Sequence, residues 1–242
     1  MPRRQLLPIA FAVLAALCAP SACARTLIFS GYTWEVRTGT GGPGPNHWNA
    51  ANARVDAAGA LHLQIRQVNG VWQCAEVFLD QRLGFGTYTF EVTGPIDRLD
   101  RNVVLGLFDY PTPDVGPDGT NEIDIEFSRW GNAANPIGNY TVWPAVAGLS
   151  PASHTFDFTL SNTRTTQRFA WSSTGIGFTS FRGFTTAGTG YAHWTYQPSN
   201  PARHVPQNAL PVHLNLWLFD GHAPSDGQPV EIVINRFTFT PG

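Results

Sequence analysis

The chain alternates apolar and polar residues with a period of two over most of its length. Successive side chains of a strand point to opposite faces, so this pattern predicts half-buried β-strands. LHLQIRQ at 61–67, GTYTFEV at 86–92, NEIDIEF at 121–127, NYTVWP at 139–144 and HTFDFTL at 154–160 follow it. TTQRFAW at 165–171, PVHLNLWLF at 211–219 and VEIVINRFTF at 230–239 do the same. VVLGLFDY at 103–110 is more uniformly apolar, as suits a strand between two layers. No helical period of useful length appears after residue 25. The 24 Gly and 19 Pro are spread as punctuation between these runs, which excludes a low-complexity block and suits many short strands joined by turns. No linker and no internal repeat divides residues 25–242. The expectation is one all-β domain, a jelly-roll β-sandwich of two antiparallel sheets with a concave substrate cleft. Two long loops, 38–50 and roughly 183–210, remain as places for binding residues.

Residues 1–24 read differently. Arg3 and Arg4 precede an apolar run from Leu6 to Ala19, and Ala22-Cys23-Ala24 is a small-x-small cleavage signal. The run is short for a membrane span, so it reads as an export signal, and the mature protein is expected to be secreted or periplasmic, without a membrane segment. Cleavage would leave 13 basic against 17 acidic side chains, a formal charge of −4, and one cysteine, Cys74. A lone cysteine cannot form an internal disulfide; in VWQCAEV it reads as a small buried hydrophobe.

Composition excludes several chemistries. All 15 basic residues are Arg and they are scattered, so no basic stripe offers itself to nucleic acid. Without lysine there is no Schiff base and no Walker-type phosphate loop, despite GTGGPGP at 39–45. The seven His have no HExxH-like spacing, and no metal site is expected.

Alternation sorts faces. In PVHLNLWLF, Val212, Leu214, Leu216 and Leu218 share one face, and His213, Asn215 and Trp217 the other. Asn139, Thr141 and Trp143 share a face in NYTVWP. Tryptophan beside amides and acids suits a sugar: the ring stacks on a pyranose, and the polar groups bond its hydroxyls.

In NEIDIEF the acids Glu122, Asp124 and Glu126 lie opposite Ile123, Ile125 and Phe127. Same-face Cα atoms are about 6.6 Å apart, so the outer two acids stand about 13 Å apart at Cα. Their side chains, leaning together, can bring the carboxyls to about 5–6 Å, the separation of a retaining glycoside hydrolase. Three acids so close cannot all ionise easily, which can keep one glutamic acid protonated beside an ionised one. Spacing alone leaves open a solvent-facing strand edge or a cation site, although calcium ligands usually come from a loop.

EIDIE at 122–126 resembles the active-site signature of glycoside hydrolase family 16, the lichenase-like retaining β-glucanases. WQCAEVFLDQRLGFGTYTFEV at 72–92, LPVHLNLWLFDG at 210–221 and the strand pair HTFDFTL and TTQRFAW extend the resemblance over most of residues 30–240. It implies a jelly roll, a polysaccharide partner, and a nucleophile Glu122, an acid/base Glu126 and an assisting Asp124. Glu76 falls where lichenase-like members have a glutamate contacting sugar; Trp130, Asn215, Trp217 and Asn46 are expected in the cleft. No cofactor is required by such chemistry, some members carry a structural calcium, and a monomer is expected. The motif has no residue inserted before its last Glu, as in lichenases and xyloglucan-active members, which points to glucans containing β-1,4 linkages. Asn121 before the motif, the missing cysteine pair of some lichenases and the 183–210 loop depart from the family pattern. A transglycosylase and a non-catalytic carbohydrate-binding jelly-roll module are the alternatives to an endo-β-glucanase.

Overall fold

A computed structural model describes residues 25–242; the expected leader, 1–24, lies outside the described residues. Two antiparallel sheets pack face to face as a jelly-roll sandwich. The first runs in spatial order β1 (Thr26–Phe29), β2 (Tyr32–Val36), β8 (Ala75–Leu83), β17 (Leu210–Leu218), β10 (Val103–Asp109), β11 (Glu122–Phe127), β12 (Gly138–Trp143) and β13 (Ala152–Phe156). The second runs β16 (Ala192–Tyr196), β15 (Gly175–Arg182), β14 (Arg164–Ser172), β9 (Gly86–Thr93), β18 (Val230–Pro241), β6 (Leu61–Val68) and β5 (Ala53–Val55), with β7 (Val71–Gln73) paired to β6. A small hairpin, β3 (Gly39–Gly41) and β4 (Asn46–Trp48), lies in the 38–50 loop.

The core forms where the apolar halves of the alternations meet. Leu214 and Leu216 of β17, Leu105 and Leu107 of β10 and Ile123 and Ile125 of β11 are all fully buried. Each such side chain contributes about 1.5–3 kcal/mol relative to exposure. Facing them are Tyr88, Phe90 and Phe169, with the Tyr88 and Phe169 rings stacked at 4.4 Å. One core position breaks the pattern: Asp109, at the end of β10, pairs in register with Ile123 and Val212 and is fully buried, with neither carboxyl oxygen hydrogen-bonded.

Two expectations needed correction. The 183–210 segment is not one loop; it contains β16 and a short helix, α1 (Pro201–His204). HTFDFTL is strand only as far as Phe156, because Asp157 leaves the ladder to accept the Ile137 amide and face Arg129. Cys74 is buried, as expected, and its thiol is pushed up to about 12 by burial.

Candidate active site

Strand β11 sits inside the first sheet between β10 and β12, so its register fixes where the acids go. Ile123, Ile125 and Phe127 point into the core, and Glu122, Asp124 and Glu126 therefore line the outer face. Asn121 introduces the strand with φ +52°, a left-handed conformation that asparagine tolerates better than most residues. Its amide bonds Pro144 O and its side chain bonds Ala145 O, tying the strand start to the loop after β12. This accounts for the asparagine that departed from the family pattern.

Register then builds rows across the sheet. One reads Glu76–Asn215–Gly106–Glu126–Asn139 from β8 to β12. The next reads Phe78–His213–Phe108–Asp124–Thr141. Glu122 lies beside Trp143, whose Nε1 donates to Asp124 Oδ2 at 2.9 Å. All of these side chains except Asn139 and Thr141 line a cleft of about 840 Å³ that crosses the strands. Gly106 makes a dip in its floor: a Cβ there would collide with Asn215 Oδ1. That oxygen is buried and accepts no hydrogen bond from the described residues.

The acids occupy two electrostatic settings. Burial and the neighbouring carboxylate of Glu126 push Glu122 up to about 8, against a hydrogen bond from Asp124 that favours its ionised form. Asp124 is held well above the usual range by burial and by Glu122, and Glu126 by burial and by Asp124. Glu122 and Glu126 remain partly open to the cleft, so entering solvent moderates shifts whose direction burial and like charge set. Glu76 is the opposite case. Burial would raise it, but His213 Nδ1 at 2.9 Å and Arg37 Nη1 at 2.7 Å outweigh that and hold it below its ordinary value. Among the described residues no group of three or more His, Cys, Asp or Glu side chains is arranged to hold a metal ion.

Glu76, Trp130, Asn215 and Trp217 line this cleft together with the three acids of β11. Asn46, expected there, does not. It is buried, with Nδ2 donating to Pro43 O and Leu218 O and Oδ1 accepting from the Leu218 amide and Cys74 Sγ. Every polar atom of that side chain is used to pin the 42–46 loop to the end of β17. Arg37, Phe78, Phe108, Tyr110, Trp143 and His213 line the cleft without having been expected as site residues. His213 and Trp143 were readable from the faces of their strands. Arg37 was not, since its partner lies 39 residues away.

The fold recurs in solved structures of carbohydrate-active proteins. A β-glucanase of Bacillus licheniformis superposes with a TM-score of 0.63 at 22% identity, covering 90% of this chain and 98% of the other. The chain shares its fold. A glycosyl hydrolase family 16 protein of Mycobacterium smegmatis matches with a TM-score of 0.58 at 19% identity over 90% and 92% of the two chains. A pseudo β-1,3-glucanase of Mycobacterium tuberculosis matches with a TM-score of 0.62 at 20% identity over 86% and 91%. No protein-family model and no curated protein sequence matches the chain.

Proposed function

We propose that this chain is a secreted, monomeric glycoside hydrolase of family 16 that cleaves a β-1,3-1,4-glucan-like polysaccharide with retention of configuration. The observation that carries the reading is the β11 trio: three carboxyls facing one cleft, raised by burial and one another. The fold is compatible with loss of turnover, since one protein that shares it is described as a pseudo-glucanase. A binding module would have no use for that arrangement of acids.

The unequal settings of the two glutamates suit double displacement. Of the two, Glu122 is the one whose ionised form receives a hydrogen bond, from Asp124, which favours it as the nucleophile. Its oxygen bonds to the anomeric carbon as the glycosidic bond breaks, while Glu126 gives its proton to the departing oxygen. Glu126, now ionised, then takes a proton from water as that water displaces Glu122. Asp124, held by Trp143, keeps a proton between the two glutamates and orients the nucleophile.

The test is a panel of β-glucans followed by NMR of the earliest product. Release of oligosaccharides as the β-anomer is expected. An α-anomer would exclude the retaining mechanism, and binding without any product across the panel would replace the hydrolase by a carbohydrate-binding module.

A further inference from the structure

A second depression, of about 670 Å³, opens beside the cleft. It is built at one end of three neighbouring strands. Arg101 and Asn102 precede β10, Trp130 to Asn132 follow β11, and Phe219 to Ala223 follow β17. The cleft crosses these strands at mid-length, so the depression lies off its side. Trp130 lines both. Its ring stands 6.3 Å from Trp217 on the cleft floor and 5.8 Å from Phe219 in the depression, each edge to face. The three rings form a continuous aromatic path from one space to the other.

The walls are fixed. Trp130 and Asp220 both hold left-handed backbone, at φ +51°. The Gly131 amide bonds Arg101 O, the Phe219 amide bonds Asn102 O, and Asn102 Nδ2 bonds Ala223 O. The loop pinned by Asn46 braces the back, where a Cβ on Gly221 would press on Pro45 Cγ at 2.9 Å. Among the described residues, the side chains of Arg101, Asp220 and His222 and the indole N–H of Trp130 have no hydrogen-bond partner. Two aromatic rings with one cationic, one anionic and further neutral polar groups suit a neutral polyhydroxylated ligand better than a charged one.

We propose that this lateral depression is a subsite for a sugar branch on the polysaccharide lying in the cleft, with Trp130 as the platform between backbone and branch. The inference rests on the polysaccharide-binding reading of the cleft. It adds sugar side branches to the β-glucan backbone proposed for the cleft.

Binding to the Glu122→Gln protein tests this without depending on turnover. Calorimetric titration would use cellotetraose against its xylose-branched counterpart, and a linear β-1,3-gluco-oligosaccharide against its β-1,6-glucosyl-branched counterpart. One branched ligand is expected to bind at least fivefold more tightly than its linear partner. Adding Arg101→Ala and His222→Ala should weaken the branched ligand about tenfold and the linear one less than twofold. Equal affinities within both pairs, an equal loss on branched and linear ligands, or no binding of any probe would overturn the branch subsite. Wild-type protein that turns over none of these while the branch preference persists would overturn only the hydrolase reading.

Discussion

Glu76 and Glu126 lie in one row of one sheet, separated only by Asn215 and Gly106, yet they are treated oppositely. Glu76 is given two nitrogen partners, Arg37 and His213, and is held ionised as a fixed anion. Glu126 and its neighbours Asp124 and Glu122 are given no cation among the described residues and hold their protons upward in pH. Burial penalises the charge in both places; the difference lies in what the next strands supply. Strand β2 brings Arg37 and β17 brings His213 to Glu76. On the other side of Gly106, the cross-strand partners of the trio are Phe108, Thr141, Asn139 and Trp143, none of them cationic, and Asp118 adds a further negative charge near Glu122. One half of the floor is thus built to bind and the other to exchange protons.

The comparison can be broken most sharply at the trio. Glu122→Gln should lower turnover about 10⁴-fold, some 5.5 kcal/mol of barrier, while leaving sugar affinity within a few-fold. Glu126→Gln should cost about 10²–10⁴-fold and remove the alkaline limb of the pH–rate profile. In the unaltered protein both limbs should lie above the ordinary glutamate value of about 4.3, because both acids are raised. A profile centred below that value, or substantial turnover by Glu122→Gln, would defeat the assignment.

The binding half should respond in stability. Glu76→Gln leaves His213 and the partly exposed Arg37 without their anion. Discounted for that exposure, the loss should be about 2 kcal/mol, or about 4–8 °C in Tm. Glu76 is depressed in the folded state, so its contribution is present above about pH 4.3 and is lost as pH falls. The gap between wild type and variant should therefore close in acid. A gap independent of pH would mean that packing, not charge, sets the loss.

A further expected effect has the opposite sign. Asp109 is fully buried without a partner, and burial and the nearby Asp124 hold its proton well above the usual range. The unfolded chain gives up that proton near pH 3.9, roughly the ordinary aspartate value, so native stability falls as pH rises from there toward the folded pKa. Asp109→Asn should be a stabilising change whose gain grows between pH 4 and pH 8, by about 1.4 kcal/mol for each unit that Asp109 is raised. Thermal melts at the two pH values decide it; a destabilised variant at pH 8 would show that the carboxyl has a use in the core.

Alternation made much of this molecule legible. Where a strand is half-buried, period two separates core from cleft without any knowledge of partners, and so the outward placement of Glu122, Asp124, Glu126, Asn215 and Trp217 could be read directly. Edge strands gave less. β16 is half-exposed and its inward aromatics, Trp194 and Tyr196, resembled a binding loop. Asn46 misled because residue type does not reveal which groups a loop amide will meet, and here four partners consume it. Arg37 was invisible because its role depends on β2 lying beside β8, a pairing that no local pattern encodes.

The place of the last two long strands has a consequence for how the chain reaches this state. β17 lies between β8 and β10, and β18 between β9 and β6, so residues after 210 supply the middle of both sheets. Until residues 210–241 are free, a chain emerging from synthesis holds each sheet as two separate pieces with open edges between them. Folding must then close both gaps with contacts far apart in sequence, which is slow and leaves strand edges exposed meanwhile. Loss of β18 would split the second sheet behind the cleft, and loss reaching back to β17 would remove the strand that joins the binding half of the floor to the proton-exchanging half.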